Sequence, residues 1–267
     1  MQLSLDHITV TDVTPARLAE IAAATGCSGI CPFLHSMEVL PAMPVYDLVR
    51  DAVARRETKA ALSANGVTVD LFYPFTVAGR TVVADFAPVL ETGAELGGSL
   101  ANVLCYDRDP VRRTEKLIEL ADLAASFGVR LAIEFYPPAQ VRTLAETLAE
   151  IERTGRADIG VTLDLLHVMR GGETEASMAL LGDPRVWIGQ VSDGPASVPV
   201  EMIDHEAGIQ RLLPGQGVFD IAGFAHALAP GVPISVEVPQ QSAIDAGLSP
   251  LDRARAAVDA MCACLGE

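Results

Sequence analysis

The chain is poor in lysine, histidine and cysteine, and each shortage closes a class of function. Only Lys59 and Lys116 are lysines among 267 residues, and both fall in helical patterns away from strand ends, which nearly excludes Schiff-base chemistry. Five histidines and a formal net charge of −16, from 19 basic against 35 acidic residues, speak against a basic face, so no nucleic-acid partner is expected. Five irregularly placed cysteines are too few for a disulfide framework in a chain of this length. Cys27 and Cys31 have a spacing seen in zinc sites but lack a second Cys or His pair close in sequence. No GxGxxG follows the first apolar run, and no GxSxG or phosphate loop occurs, leaving dinucleotide, serine-hydrolase and nucleoside-triphosphate chemistry unsupported. Long apolar stretches free of charge and proline are missing too, and "MQLSLDHITV" has no basic start. The expectation is a cytoplasmic protein with no membrane contact.

What is present is apolar material, at 50% of residues, organised in alternation. Eight short runs rich in Val, Ile and Leu read as strands: 3–9, 28–34, 67–73, 99–106, 130–136, 159–165, 186–193 and 234–238. Between them apolar residues recur at three- and four-residue spacing, as in Leu117, Leu120, Ala121 and Ala124, or Leu144, Leu148 and Ile151. Gly66 and Gly128 stand where helix ends need a left-handed residue. Eight strand and helix units in this length predict an α/β protein, a (β/α)8 TIM barrel, as one domain over residues 1–267. The stretch 194–216 after the seventh strand is long enough to suggest an active-site loop. A homo-oligomer is compatible with so apolar a composition.

In such barrels chemistry gathers where strands end. The fifth strand ends near Glu134 in "LAIEFYPP", the sixth at Asp164 in "VTLDLLH", the seventh near Gln190 in "WIGQVSDG" and the eighth at Glu237 in "ISVEVPQQ". Neighbouring strands lie about 5 Å apart, so three carboxylates and an amide oxygen at matching heights converge on one point. Carboxylates so gathered call for a cation, and an all-oxygen set suits Mn²⁺ or Mg²⁺, with Co²⁺ or Zn²⁺ tolerated. His167 stands three residues beyond Asp164, within reach of a bound substrate, and Arg211 offers a planar fork to a substrate oxygen. His7 at the end of the first strand, His35 after the second, and the aromatic rings of Phe33, Phe72 and Tyr136 are expected around the pocket mouth.

The series Glu134, Asp164 with His167, Gln190 with Asp193, and Glu237, together with "RLLPGQGVFD" from Arg211 to Asp220, resembles the xylose-isomerase-like barrel superfamily of sugar isomerases, ketose 3-epimerases, inosose dehydratases and 3-dehydroshikimate dehydratases. The resemblance implies a metal held by Glu134, Asp164, Gln190 and Glu237, with Glu134 and Glu237 moving protons on the two faces of a small-molecule substrate. His167, Arg211, His7 and Tyr136 would line the substrate. Two positions depart from the pattern. Most relatives have histidine where Gln190 stands, and members that transfer hydride have lysine where this chain has Tyr136. The implied activity is isomerisation or epimerisation of a small sugar or polyol ketone through an enediolate. Dehydration by a lyase of the inosose or 3-dehydroshikimate type is the alternative, and a barrel that only binds a ligand comes after both.

Overall fold

The computed structural model describes residues 2–172 and 178–266. Nine parallel strands form one sheet: β1 (Leu3–Asp6), β2 (Gly29–Cys31), β3 (Thr68–Val69), β4 (Phe72–Val77), β5 (Leu100–Cys105), β6 (Arg130–Glu134), β7 (Ile159–Asp164), β8 (Val186–Val191) and β9 (Ile234–Val236). Their order, β3-β2-β1-β9-β8-β7-β6-β5-β4, curls into a barrel with helices alternating around it. The seam between β3 and β4 is narrowed by a parallel bridge from Phe33 to Tyr73, in which Leu34 donates to the Tyr73 carbonyl at 3.0 Å and Tyr73 to that of Pro32 at 3.1 Å. This is the expected TIM barrel.

The ninth strand arises because the expected third run, 67–73, breaks at Asp70 and Leu71. The second half resumes as β4, which carries Pro74. Proline has no N–H for the ladder, and the pairing of β4 with β5 shifts register between Phe72 and Phe75. The other strands stop short of their expected ends. β1 ends at Asp6 because the Asp6 carboxylate accepts from the Ile8 N–H at 3.1 Å and caps a 3₁₀ turn over His7–Val10.

Helix boundaries follow local chemistry. Asp51 caps the helix Ala52–Asn65 by accepting from Val53 and Ala54, and Gly66 closes it at φ 64°, where a Cβ would be strained. Asp109 caps the helix Pro110–Ala125 in the same way, with Pro110 in the first turn. The faces predicted from spacing are the buried ones: Leu117, Leu120, Ala121 and Ala124 on the helix Pro110–Ala125, and Leu144, Leu148 and Ile151 on the helix Leu144–Thr154. The stretch 194–216 contains a 3₁₀ turn and a short helix, Ile203–Gly208. All five cysteines are free. No helix among the described residues is long and apolar enough to cross a membrane.

At the end of the barrel where its strands begin, Gly160 lies under the ring of Trp187. A Cβ there would sit 2.4 Å from the indole and 2.7 Å from the Arg185 carbonyl, while the Arg130 guanidinium covers the ring at 4.2 Å. The indole is held by a cation and the carbonyl is backbone, so neither yields easily. Gly160→Ala is expected to cost about 1–3 kcal/mol of unfolding free energy, read by urea denaturation followed by circular dichroism. An unchanged midpoint would show that the ring moves freely.

Candidate active site

Side chains alternate along a strand, so residues two apart share a face. On the inner face this puts Ser4 with Asp6, Thr162 with Asp164, and Ser235 with Glu237. Asp164 pairs in register with Gln190, and Gln190 with Ser235. The carboxyl ends of the strands thereby carry Asp6, Glu134, Gln190 and Glu237 around the floor of a cavity of about 480 Å³, with Asp164 beneath it against Arg211. All five are buried. Its upper walls are mostly apolar, with Phe33, Leu40, Phe75, Leu104, Tyr106 and Tyr136 among them. Phe72, expected on this wall, is instead fully buried in the core against Gly93 and Gly98.

Arg211 is the buried cation of this floor. Its backbone N–H donates to the Pro239 carbonyl, and the neighbouring Leu212 bridges Asp193, so the segment is sewn between the loops that follow β8 and β9. The guanidinium donates to Asp164 Oδ2 at 3.0 Å and to Glu237 Oε1 at 2.8 Å, and to the Ala207 carbonyl at 2.9 Å. Burial alone would lower the Arg211 pKa, but the Asp164, Glu237 and Glu134 carboxylates outweigh it and raise it. Asp193, expected beside Gln190, serves the loop: it accepts from the N–H groups of Gly194, Gly217 and Phe219.

One guanidinium does not balance four carboxylates. Burial, with Glu134 adding repulsion, raises Asp6 to about 6 even though Tyr73 and Ile8 donate to it. Burial likewise pushes Glu237 well above the usual carboxylate range, opposed by Arg211 and reinforced by Asp6, Asp164 and Glu134. Two buried oxygens here have no hydrogen-bond partner, Gln190 Oε1 and Glu237 Oε2. His167 Nε2 lies 3.2 Å from Glu134 Oε1 and 3.3 Å from Asp164 Oδ2, and these three residues offer ligand atoms all within 4.8 Å of one another. Excess negative charge, orphaned oxygens and a convergent donor set fit a divalent cation.

His167, expected within reach of a bound substrate, stands among the carboxylates, its ring 4.9 Å from that of Tyr136. Tyr136 lines the cavity and donates to Asp204 of the helix Ile203–Gly208. His7 differs from its expected place. With β1 ending at Asp6, the imidazole is fully buried behind the wall, one nitrogen 3.0 Å from the Val13 carbonyl and the other accepting from the Phe33 N–H at 3.2 Å. It is Asp6, one residue earlier, that faces the cavity. His35 interacts with the Ser36 carbonyl. Asp6, Asn102 and Tyr73 were missed, although the alternation in "LSLD" and the lone polar residue in "LANVLC" both mark an inward polar position.

The family model described as "Xylose isomerase-like TIM barrel" matches residues 19–264. The chain belongs to this family. It is 26% identical over 159 residues to an inosose isomerase of Bacillus velezensis, covering 56% of this chain and 55% of that protein. It is 27% identical over 254 residues to a 3-dehydroshikimate dehydratase of Pseudomonas aeruginosa, covering 89% of this chain and 38% of that protein. The chain thus spans about half of the first relative's length and less of the second's. Among solved structures, the IolI protein with a bound zinc atom superposes with a TM-score of 0.79 at 18% identity, over 100% of this chain and 98% of that one.

Burial holds His7 down to about 4, against the pull of Val13 and Asp12. The unfolded chain takes up this proton below about 6.5 and the folded chain does not, so His7 makes stability fall as pH drops from about 6.5 to 4 and contributes no further slope below that. The loss is about 3 kcal/mol over the window. His7→Gln is expected to flatten this part of the profile in urea denaturations at pH 4.5 and pH 7, and parallel profiles would contradict a buried neutral imidazole.

Proposed function

We propose that the protein is a divalent-metal-dependent enzyme that removes a proton beside the carbonyl of a small hydroxylated ketone, with loss of water as the favoured outcome. Glu134, Asp164, Gln190 and Glu237 are the proposed ligands, with His167 close enough to join or replace one of them. Mn²⁺ and Mg²⁺ suit the oxygen donors, and the zinc of the related IolI protein adds Zn²⁺. A divalent ion held there would draw electron density from the substrate carbonyl and acidify the adjacent C–H.

The protein's own groups then divide the work. Glu134, steadied by Asn102 and flanked by His167, takes the proton from carbon. The electron pair becomes a C=C bond as the hydroxyl on the next carbon leaves, and the proton returned to that hydroxyl gives water. His167 moves or shares this proton, and Tyr136 covers the imidazole. Arg211 would reach a substrate oxygen only by loosening its hold on Asp164 or Glu237.

The single observation behind elimination is the Arg211 clamp on Glu237 at 2.8 Å. Epimerisation needs a base on each face of the substrate that is free to turn toward carbon, and the buried guanidinium fixes one oxygen of Glu237 in place, although burial raises that carboxyl's pKa. The apolar walls also suit a flat unsaturated product, and the dehydratase match extends over more of this chain than the isomerase match. Isomerisation remains the second reading, favoured by the inosose isomerase relative. It shares the first step and returns the proton to carbon.

The test loads the protein with Mn²⁺, Mg²⁺ or Zn²⁺ and supplies 3-dehydroshikimate and an inosose in deuterated water. A rising ultraviolet absorbance marks an enone or aromatic product and so dehydration. Deuterium entering carbon without absorbance marks isomerisation, and neither signal with any metal sinks both. Whichever reaction appears, Glu134→Gln is expected to lower kcat by about 10²–10⁴.

A further inference from the structure

Gln190 poses a problem that a histidine would not. Its side chain ends in an oxygen and an NH2 of nearly equal size, and only the oxygen can face a cation. Something must tell the two ends apart.

The hydrogen bonds beneath the site do so. Gln190 Nε2 donates to the Tyr73 hydroxyl at 2.7 Å, and that hydroxyl donates to Asp6 Oδ2 at 2.7 Å. Ser235 Oγ donates to the same carboxylate oxygen at 3.3 Å, and the Ile8 N–H to the other at 3.1 Å. An ionised carboxylate only accepts, so Tyr73 spends its one hydrogen on Asp6 and can only accept from Gln190. The amide must therefore turn its nitrogen to Tyr73, which leaves Oε1 pointing away from it, fully buried and unpartnered. Reversing the amide would set two lone-pair oxygens against each other at hydrogen-bond distance.

We propose that Tyr73, itself oriented by Asp6, is the positioning residue that selects the carbonyl oxygen of Gln190 for the cation. The role rests on the metal-site reading above. The opposite side of the floor has the same device run the other way: Thr162 Oγ1 donates to Asn102 Oδ1 at 2.7 Å, which turns the Asn102 NH2 onto Glu134. One hydroxyl accepts and sends an amide oxygen inward; the other donates and sends an amide nitrogen inward.

The test measures Mn²⁺ affinity by electron paramagnetic resonance of the free ion, with Tyr73→Phe made in the natural chain and in Gln190→Glu. Glutamate presents oxygen at either end, so orientation ceases to matter there. Tyr73→Phe is expected to weaken Mn²⁺ binding about 10- to 100-fold with Gln190 in place, the usual effect of losing a group that orients a ligand. In Gln190→Glu the change should stay within about twofold, the scatter of independent substitutions. Equal losses in both backgrounds, or none in either, overturn the proposal.

Asp6→Asn is the second variant, and it covers a Tyr73→Phe chain that fails to fold. Its new NH2 would donate to the Tyr73 oxygen, free the phenol hydrogen for Gln190 Oε1 and reverse the relay. Affinity should fall with Gln190 present and be affected less in Gln190→Glu. A readout without metal separates this idea from the metal site itself. The Gln190 side-chain NH2 resonances, assigned by their disappearance in Gln190→Glu, should exchange slowly with solvent and speed up in Tyr73→Phe. Slow exchange in a protein that never binds Mn²⁺ would leave the relay standing and remove the metal reading, whereas fast exchange in the natural chain overturns the relay.

Discussion

Four buried carboxylates around one guanidinium set the terms for everything else at the mouth of this barrel. Like charges so gathered in a poorly solvated floor are costly, and the costs surface as an Asp6 raised to about 6 and a Glu237 held well above the usual carboxylate range. Arg211 offsets part of this, yet Glu237 Oε2 and Gln190 Oε1 still have no partner. A protein that retains such a surplus has put it where a cation would relieve it.

The barrel makes the surplus geometrically sustainable. Because parallel pairing fixes Glu134 opposite Thr162, Asp164 opposite Gln190 and Gln190 opposite Ser235, each donor sits at or within two residues of a paired strand position rather than out on a long loop. Loops supply what strands cannot. Arg211 arrives from a segment tied to both flanking connections, and Tyr136 reaches across to Asp204. The proton abstraction proposed above needs such an arrangement, with rigid oxygens below and an adaptable wall above.

Much of this was legible beforehand, for identifiable reasons. Apolar runs alternating with helical spacing report the barrel directly, and Glu134, Asp164, Gln190 and Glu237 stood out because polar groups at the ends of buried strands need a purpose. What failed was parity. Reading β1 through residue 9 drew attention to His7, whereas the Asp6 cap stops the strand and leaves Asp6 facing the cavity. Tyr73 was hidden for a related reason, since the break at Asp70 and the shift around Pro74 reset which residues face inward. The pairing of Arg211 with Asp164 and Glu237 joins residues far apart in the chain, and spacing carries no record of it.

The amide at position 190 has a further consequence when set beside the histidine common in related barrels. An imidazole must shed its proton before it can bind a cation, so acid competes for the site through that ligand. A carboxamide has no such proton to lose in the physiological range. As a ligand to the proposed cation, Gln190 would give up donor strength and, with it, one point of competition between metal and hydrogen ion.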